Sequence, residues 1–226
     1  MTETFAPEFV EWPKTPRLFR DIVITEKIDG TNAAIHIEQG SEITYSTVFD
    51  ADIYPLKPWE VWDGQHVWRV AAQSRKRIIT PESDNYGFAR WVRENAADLV
   101  HILGPGLHFG EWWGQGIQRR YGLETKRFSV FNTARWFAVD EDSGTSMDDR
   151  ATQSGICDQI DAVPVLYEGP FSEGAIVWAL QNLTSDGSQA APGFMNPEGI
   201  CVYHTQTRSV FKVTLDNYDA GKWEAA

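Results

Sequence analysis

The chain has 226 residues, 42% of them hydrophobic and 23% charged, which suits one large globular domain or two small ones with a real core. Its net charge of −12 excludes a broad basic face for nucleic acid, and no apolar run reaches membrane-spanning length. Two cysteines, Cys157 and Cys201, are too few for a disulfide framework or a zinc site, and the acidic, polar start does not read as a signal peptide, so a reducing, cytoplasmic setting is expected.

Charge is unevenly placed. Ser74–Arg77 and the group Arg119, Arg120, Lys126 and Arg127 are basic islands, whereas acid collects at Asp140–Asp149. A local basic track on an acidic protein is therefore open. Ten tryptophans predict that large aromatics dominate the core and the walls of any site.

Residues 1–20 hold Pro7, Pro13 and Pro16 and read as an irregular lead-in. Residues 21–49 read as a β-meander. Ile22–Ile24 leads into Thr25–Asn32, and Ala33–Ile37 leads out, giving a strand, a bend at Gly30 and a second strand; Ile43–Phe49 reads as a third. Residues 50–70, with Trp59, Trp62 and Trp68 beside Pro55 and Pro58, read as a loop-rich insertion packed by its aromatics. Residues 84–103 show helical spacing, with Asp84 as N-cap and Gly104-Pro105-Gly106 as stop.

Leu107–Trp113 is an expected strand, Gly114–Tyr121 a glycine-containing loop, and Phe128–Phe137 another strand. Asp140–Asp149 reads as a surface loop and Ala162–Leu166 as a short strand. Ser172–Leu183 fits a helix capped by Ser172, and Gly199–His204 with Ser209–Leu215 fits a hairpin. There is no internal repeat and no linker. Many strands with few, segregated helices predict an α+β fold in a single domain, 1–226.

Four stretches put polar groups against apolar strands. In Lys27-Ile28-Asp29-Gly30 a lysine ends an apolar strand; it is either half of a surface Lys–Asp pair in a turn or, if desolvated, an amine nucleophile. Glu111, in Phe109-Gly110-Glu111-Trp112-Trp113, either faces solvent or binds a ligand, because burying an unpartnered carboxylate is costly. Glu198 opens the strand Gly199–Tyr203 as a turn acid or a ligand group. Lys212, in Val210-Phe211-Lys212-Val213, either snorkels from an edge strand or serves the same site.

Together and in this order the stretches resemble the covalent nucleotidyltransferase superfamily of polynucleotide ligases and capping enzymes. The Thr31-Asn32 ending and the extension Gly116-Ile117-Gln118 resemble its RNA ligase 2 branch. The resemblance runs from about residue 20 to 215 and implies an ATP-grasp-like α+β domain of antiparallel sheets flanked by helices, with a nucleotide cleft between the sheets. It implies an ATP-dependent RNA ligase, in which Lys27 takes AMP from ATP, passes it to a 5′-phosphate end, and a 3′-hydroxyl then displaces it.

The resemblance also implies roles. Glu111 contacts the ribose, Phe131 in Phe128-Ser129-Val130-Phe131-Asn132 stacks on the base, and Glu198 holds Mg²⁺ or Mn²⁺ with help from Asp29. Asn32 lies near the phosphates or sugar, Arg75 (with Arg77 as alternative) contacts the nucleotide or incoming end, and Lys212 the α-phosphate. Glu26 and Ile28, flanking Lys27, complete the nucleotide-contacting set.

Two features depart from the pattern. Thr214 stands where a second lysine is usual, with Lys222 as a replacement, and only 14 residues follow Lys212, which implies a minimal domain without an OB fold. RNA ends would then be gripped by the catalytic face, a partner protein or a dimer. A minimal DNA ligase, a capping-type transferase and a non-catalytic nucleotide- or RNA-binding domain are the alternatives.

Overall fold

The computed structural model describes residues 8–40 and 56–216. The expected strand Ile43–Phe49 and Lys222 lie outside them.

The chain is α+β, and its strands form two sheets. The smaller sheet is built from β1 (Asp21–Lys27), β9 (Val165–Pro170), β10 (Gly199–His204) and β11 (Ser209–Thr214), in the order β11-β10-β1-β9, all antiparallel. The larger sheet contains β2 (Thr31–Gln39), β3 (Glu60–Trp62), β4 (Val67–Ser74), β6 (Gly106–Gly114), β7 (Lys126–Val130) and β8 (Ile160–Ala162), in the order β3-β4-β2-β6-β7-β8. A short β5 (Ile78–Ile79) pairs with β4, and β7–β8 is the parallel exception to an otherwise antiparallel ladder.

Helices cover one face of each sheet. α1 (Phe88–Glu94), α2 (Ala96–Leu103) and α4 (Met147–Ser154) pack Phe88, Trp91, Leu99, Ile102 and Met147 on the larger sheet, against Ile35, Ile37 and Phe128. The short α3 (Thr133–Phe137) adds Trp136. α5 (Glu173–Asp186) packs Ala179, Leu180 and Leu183 against Ile22, Ile24, Ile200 and Val202 of the smaller sheet. A third cluster of Ile28, Trp113, Tyr121, Val163, Ala190 and Ala191 forms where the two sheets meet. No helix among the described residues is long and apolar enough to cross a membrane.

The bend at Gly30 carries the chain from one sheet to the other. A Cβ there would lie 2.5 Å from the Trp112 carbonyl and 2.7 Å from the Trp113 Cβ, so only glycine fits. The strand ending at Lys27 and the one starting at Thr31 match the sequence reading.

Several elements differ from expectation, each for a local reason. Residues 60–74 are a β-hairpin and not a loop: Trp62 pairs with Val67, and Trp68 donates its indole N–H to Asp63 at the turn. The helical span 84–103 is two helices, broken at Asn95, whose side chain donates to the Trp91 carbonyl. Asp84 nevertheless caps the first, accepting from the Ala89 and Arg90 N–H groups at 2.8 and 3.1 Å.

The strand Phe128–Phe137 stops at Val130, because Asn132 caps α3 by accepting from the Arg135 N–H. The acidic stretch 140–149 ends inside α4, whose Ser146 and Asp149 form a reciprocal capping box. The single strand at 162–166 is two, because Val163-Pro164 leaves the larger sheet and enters the smaller one.

Candidate functional site

Directly opposed residues of neighbouring strands share a face. On β1, Ile22, Ile24 and Glu26 point to the α5 side, so Thr25 and Lys27 point to the other. Lys27 pairs with Gly199, which pairs with Thr214, while Thr25 pairs with Cys201, which pairs with Lys212. Lys27, Cys201, Lys212 and Thr214 therefore stand on one face. The Lys27 and Lys212 backbones lie roughly 12 Å apart by strand geometry, a gap that two extended lysine side chains are long enough to span.

The Lys27 ammonium donates to the Glu198 carboxylate at 2.5 Å, with the two side chains 22% and 16% exposed. Glu198 precedes Gly199, whose φ of +149° and crowding against the Val213 carbonyl admit only glycine. The turn acid of the sequence reading is thus a partner of Lys27. Lys212 is exposed on β11.

The larger sheet supplies the facing groups. Asn32 pairs with Glu111, Glu111 with Ser129, and Ser129 with Asp161, giving a polar row across four strands. Glu111 is buried and accepts from the Gly30 N–H at 3.1 Å and the Asn32 amide at 2.9 Å. Burial pushes its carboxyl up to about 7 against the pull of Lys27, and Glu198 adds to the rise. Asp161 is likewise pushed up to about 6 by burial, while the Ser129 hydroxyl donates to it and Trp113 donates to Ser129.

Beside that row lies a pocket of about 230 Å³, lined by Asn32, Ala34, Ser74, Arg75, Phe109 and Phe131. Phe131, just past β7, and Phe109, on β6, are 45% and 52% exposed and both line the pocket wall. Of the two candidate arginines, Arg75 borders this pocket, whereas Arg77 is tied to the Ile78 and Ser83 carbonyls.

Glu26 and Ile28 face away from these groups. Glu26 is buried on the α5 side and accepts from the Ser188 hydroxyl and the Gln189 and Ala190 N–H groups. Burial raises its pKa and these three donors oppose the rise. The Ile28 side chain lies in the cluster joining the sheets.

Asp29 has a different partner from the one its place beside Lys27 suggested. Its carboxylate accepts from Arg119 Nε at 3.2 Å, and its N–H donates to the Tyr121 hydroxyl at 2.8 Å. Arg119 also donates to the Asn196 carbonyl and side chain and to Asp216. Sequence reasoning placed Arg119 only in a basic island and passed over Tyr121 and Phe109. The one signal for the first two was the glycine loop that holds them.

Among the described residues no three His, Cys, Asp or Glu side chains gather as a metal cage. Glu198 alone, partnered by a cation, fits the way Mg²⁺ is often held: by one or two carboxylates, with waters and substrate phosphates as the other ligands.

The comparisons bear on the fold and the family. The structure resembles a mutant RNA ligase of Naegleria gruberi solved with ATP and Mn, with TM-score 0.52 and 13% identity over 94% of this chain and 58% of that one. It resembles a second mutant of that enzyme, also with ATP and Mn, at TM-score 0.51 and 14% identity, over 89% and 51% of the two chains. A third, with AMP and Mn, gives TM-score 0.51 and 13% identity over the same shares. The chain thus spans a little over half the length of these structures. No curated protein matches it. A family profile described as RNA ligase matches residues 20–214, which is most of the chain and takes in every candidate site residue; the protein belongs to the RNA ligase family.

Proposed function

We propose that the protein is an ATP-dependent RNA ligase that works through a lysyl–AMP intermediate on a nucleotidyltransferase domain of the ATP-grasp-like kind. The observation that carries this reading is the pairing of Lys27, at the end of β1, with Glu198, in the segment entering β10, on a face that also presents Lys212. The likeness to structures holding ATP or AMP with Mn supports it.

Lys27 Nζ, as the free amine, attacks the α-phosphorus of ATP. An N–P bond forms, the bond to the bridging oxygen breaks, pyrophosphate leaves with the electron pair, and the amine gives up a proton. Lys27 then yields AMP to the 5′-phosphate of an RNA end. A 3′-hydroxyl attacks that phosphate, the phosphodiester forms and AMP departs.

Negative charge sits on the phosphates throughout, so catalysis rests on positioning and electrostatic stabilisation. Lys212, on the same face as Lys27, suits neutralisation of the α-phosphate. Glu111 suits the ribose hydroxyls, and Phe131 offers an exposed face to a purine. Asn32 and Arg75 border the same pocket and suit the sugar and phosphate oxygens. Glu198 would hold Mg²⁺ or Mn²⁺, which neutralises phosphate charge when bound. Asp29, engaged by Arg119, acts as a support for the Lys27 loop.

Nucleotide-free protein incubated with ATP and Mg²⁺ or Mn²⁺ and weighed intact should show a covalent AMP adduct, absent in Lys27→Ala. No adduct would overturn the mechanism in favour of a non-catalytic binding domain. A GMP adduct from GTP would point to capping chemistry. Nicked duplexes carrying RNA or DNA on the 3′-hydroxyl side should be sealed only, or faster, with RNA.

A further inference from the structure

Three strands of the smaller sheet reach the candidate site at the same end. β1 delivers Lys27, the segment entering β10 delivers Glu198, and β11 delivers Lys212. Register within the sheet sets their rows, and the connecting segments lie outside its strands. Those are 28–30 after Lys27, 196–198 before β10, and Leu215 and Asp216 after β11.

All three are tied to one side chain from the larger sheet's loop. Arg119 Nε donates to Asp29, two residues past Lys27. Its Nη1 donates to the Asn196 carbonyl at 3.1 Å and side-chain oxygen at 3.0 Å, and to the Pro197 carbonyl at 3.5 Å, directly before Glu198. Its Nη2 donates to Asp216, two residues past Thr214. The guanidinium's fixed planar fork suits such a three-way junction, which a lysine cannot reproduce.

The loop is strained to put it there. Gln118, Arg120 and Tyr121 have φ of +43°, +61° and +51°, a region that non-glycine residues rarely adopt. Such conformations persist only where the surroundings enforce them. Here Tyr121 is locked by packing on Trp113 and Phe194 and by accepting from the Asp29 N–H. Arg119 is only 17% exposed although its partner Asp216 lies open.

We propose that Arg119 is a positioning residue: by bridging Asp29, Asn196-Pro197 and Asp216 it holds Lys27, Glu198 and Lys212 in one constellation across the two sheets. The inference rests on the proposed ligase reading for its consequence, but its structural claim stands apart from it. Asp29 is thereby a fixed anchor.

Two measurements test it, on wild type, Arg119→Ala, Arg119→Lys and Asp29→Asn. The first is the single-turnover rate of AMP adduct formation at saturating ATP. Arg119→Ala should slow it by about a hundredfold, the effect of misplacing a reacting group by about 1 Å, with Arg119→Lys recovering only part. Combining Arg119→Ala with Asp29→Asn should cost little more than either alone, because both break the same bridge.

The second is labelling of Lys27 by an amine-reactive ester without nucleotide, read by peptide mass spectrometry. Loosening the Lys27–Glu198 pair should raise labelling of Lys27 several-fold in Arg119→Ala and leave Lys126 unchanged. Asp84→Ala, destabilised at α1 and away from the junction, should keep wild-type values in both assays. Wild type without an adduct would sink the ligase mechanism, and the labelling arm would still decide the bridge. Unchanged Lys27 labelling in Arg119→Ala, or an adduct rate within about threefold of wild type, overturns the positioning role.

Discussion

Replacing Glu111 with glutamine tests the electrostatics of the site through stability alone. Glu111 is buried, and its carboxyl is raised from an ordinary value near 4.5 to about 7, chiefly by burial. The folded state therefore binds a proton at Glu111 that the unfolded state has lost between those two values. Stability from this group is fully present below pH 4.5 and is lost as pH rises through 7. Each pKa unit is worth about 1.4 kcal/mol, so the group should cost the wild type about 2.5 kcal/mol between pH 5 and pH 8.

Glu111→Gln cannot titrate and escapes that loss. It has its own penalty, because one of the donors, Gly30 N–H or the Asn32 amide, must face the new NH₂ group; this costs about 1–3 kcal/mol at every pH. Urea unfolding of both proteins at pH 5 and pH 8 isolates the titration. The wild type's advantage should shrink by about 2.5 kcal/mol, and could reverse sign, at the higher pH. An advantage that stays constant across this range, or grows with pH, would refute the assignment of a raised carboxyl at Glu111.

Other expected outcomes follow from single contacts. Gly30→Ala drives a Cβ into the Trp112 carbonyl at 2.5 Å. It should destabilise by about 1–3 kcal/mol in thermal or urea unfolding and displace the Lys27 loop, lowering adduct yield. Phe131→Ala should weaken nucleotide binding in equilibrium dialysis with little loss of stability, because the ring is 45% exposed; equal affinity would remove it from the base site. Asp84→Ala removes acceptors for the Ala89 and Arg90 N–H groups and should cost about 1 kcal/mol in urea unfolding.

Much of the fold was legible where local physics decides. Alternation in 21–39 and 199–214 and the glycines at 30, 104 and 106 placed strands and stops correctly. Errors came where a short-range cap or a long-range pairing overrode the pattern. Asn132 ends an apolar run that reads on as strand, and Val163-Pro164 moves a continuous-looking strand between sheets. The prolines before Trp59 suggested a loop, yet β4 supplies the partner that makes 60–62 a strand.

The sequence by itself determined which chemistry-bearing residues exist and in what order: Lys27 at a strand end, Glu111 among aromatics, Glu198 before a glycine, and Lys212 within a strand. Alternation, a local property, set which residues of a strand share a face but not which face meets the site: Glu26 and Ile28, read together with Lys27, turn away from it. Only the tertiary structure decided their partners. Lys27 and Glu198 are 171 residues apart in the chain and meet through register in the smaller sheet. Asn32 and Glu111 meet through register in the larger one. Asp29 goes to Arg119, which a strained loop from the far sheet brings within 3.2 Å of it. Pairings of this kind depend on which strands become neighbours, and no local pattern of residues encodes that.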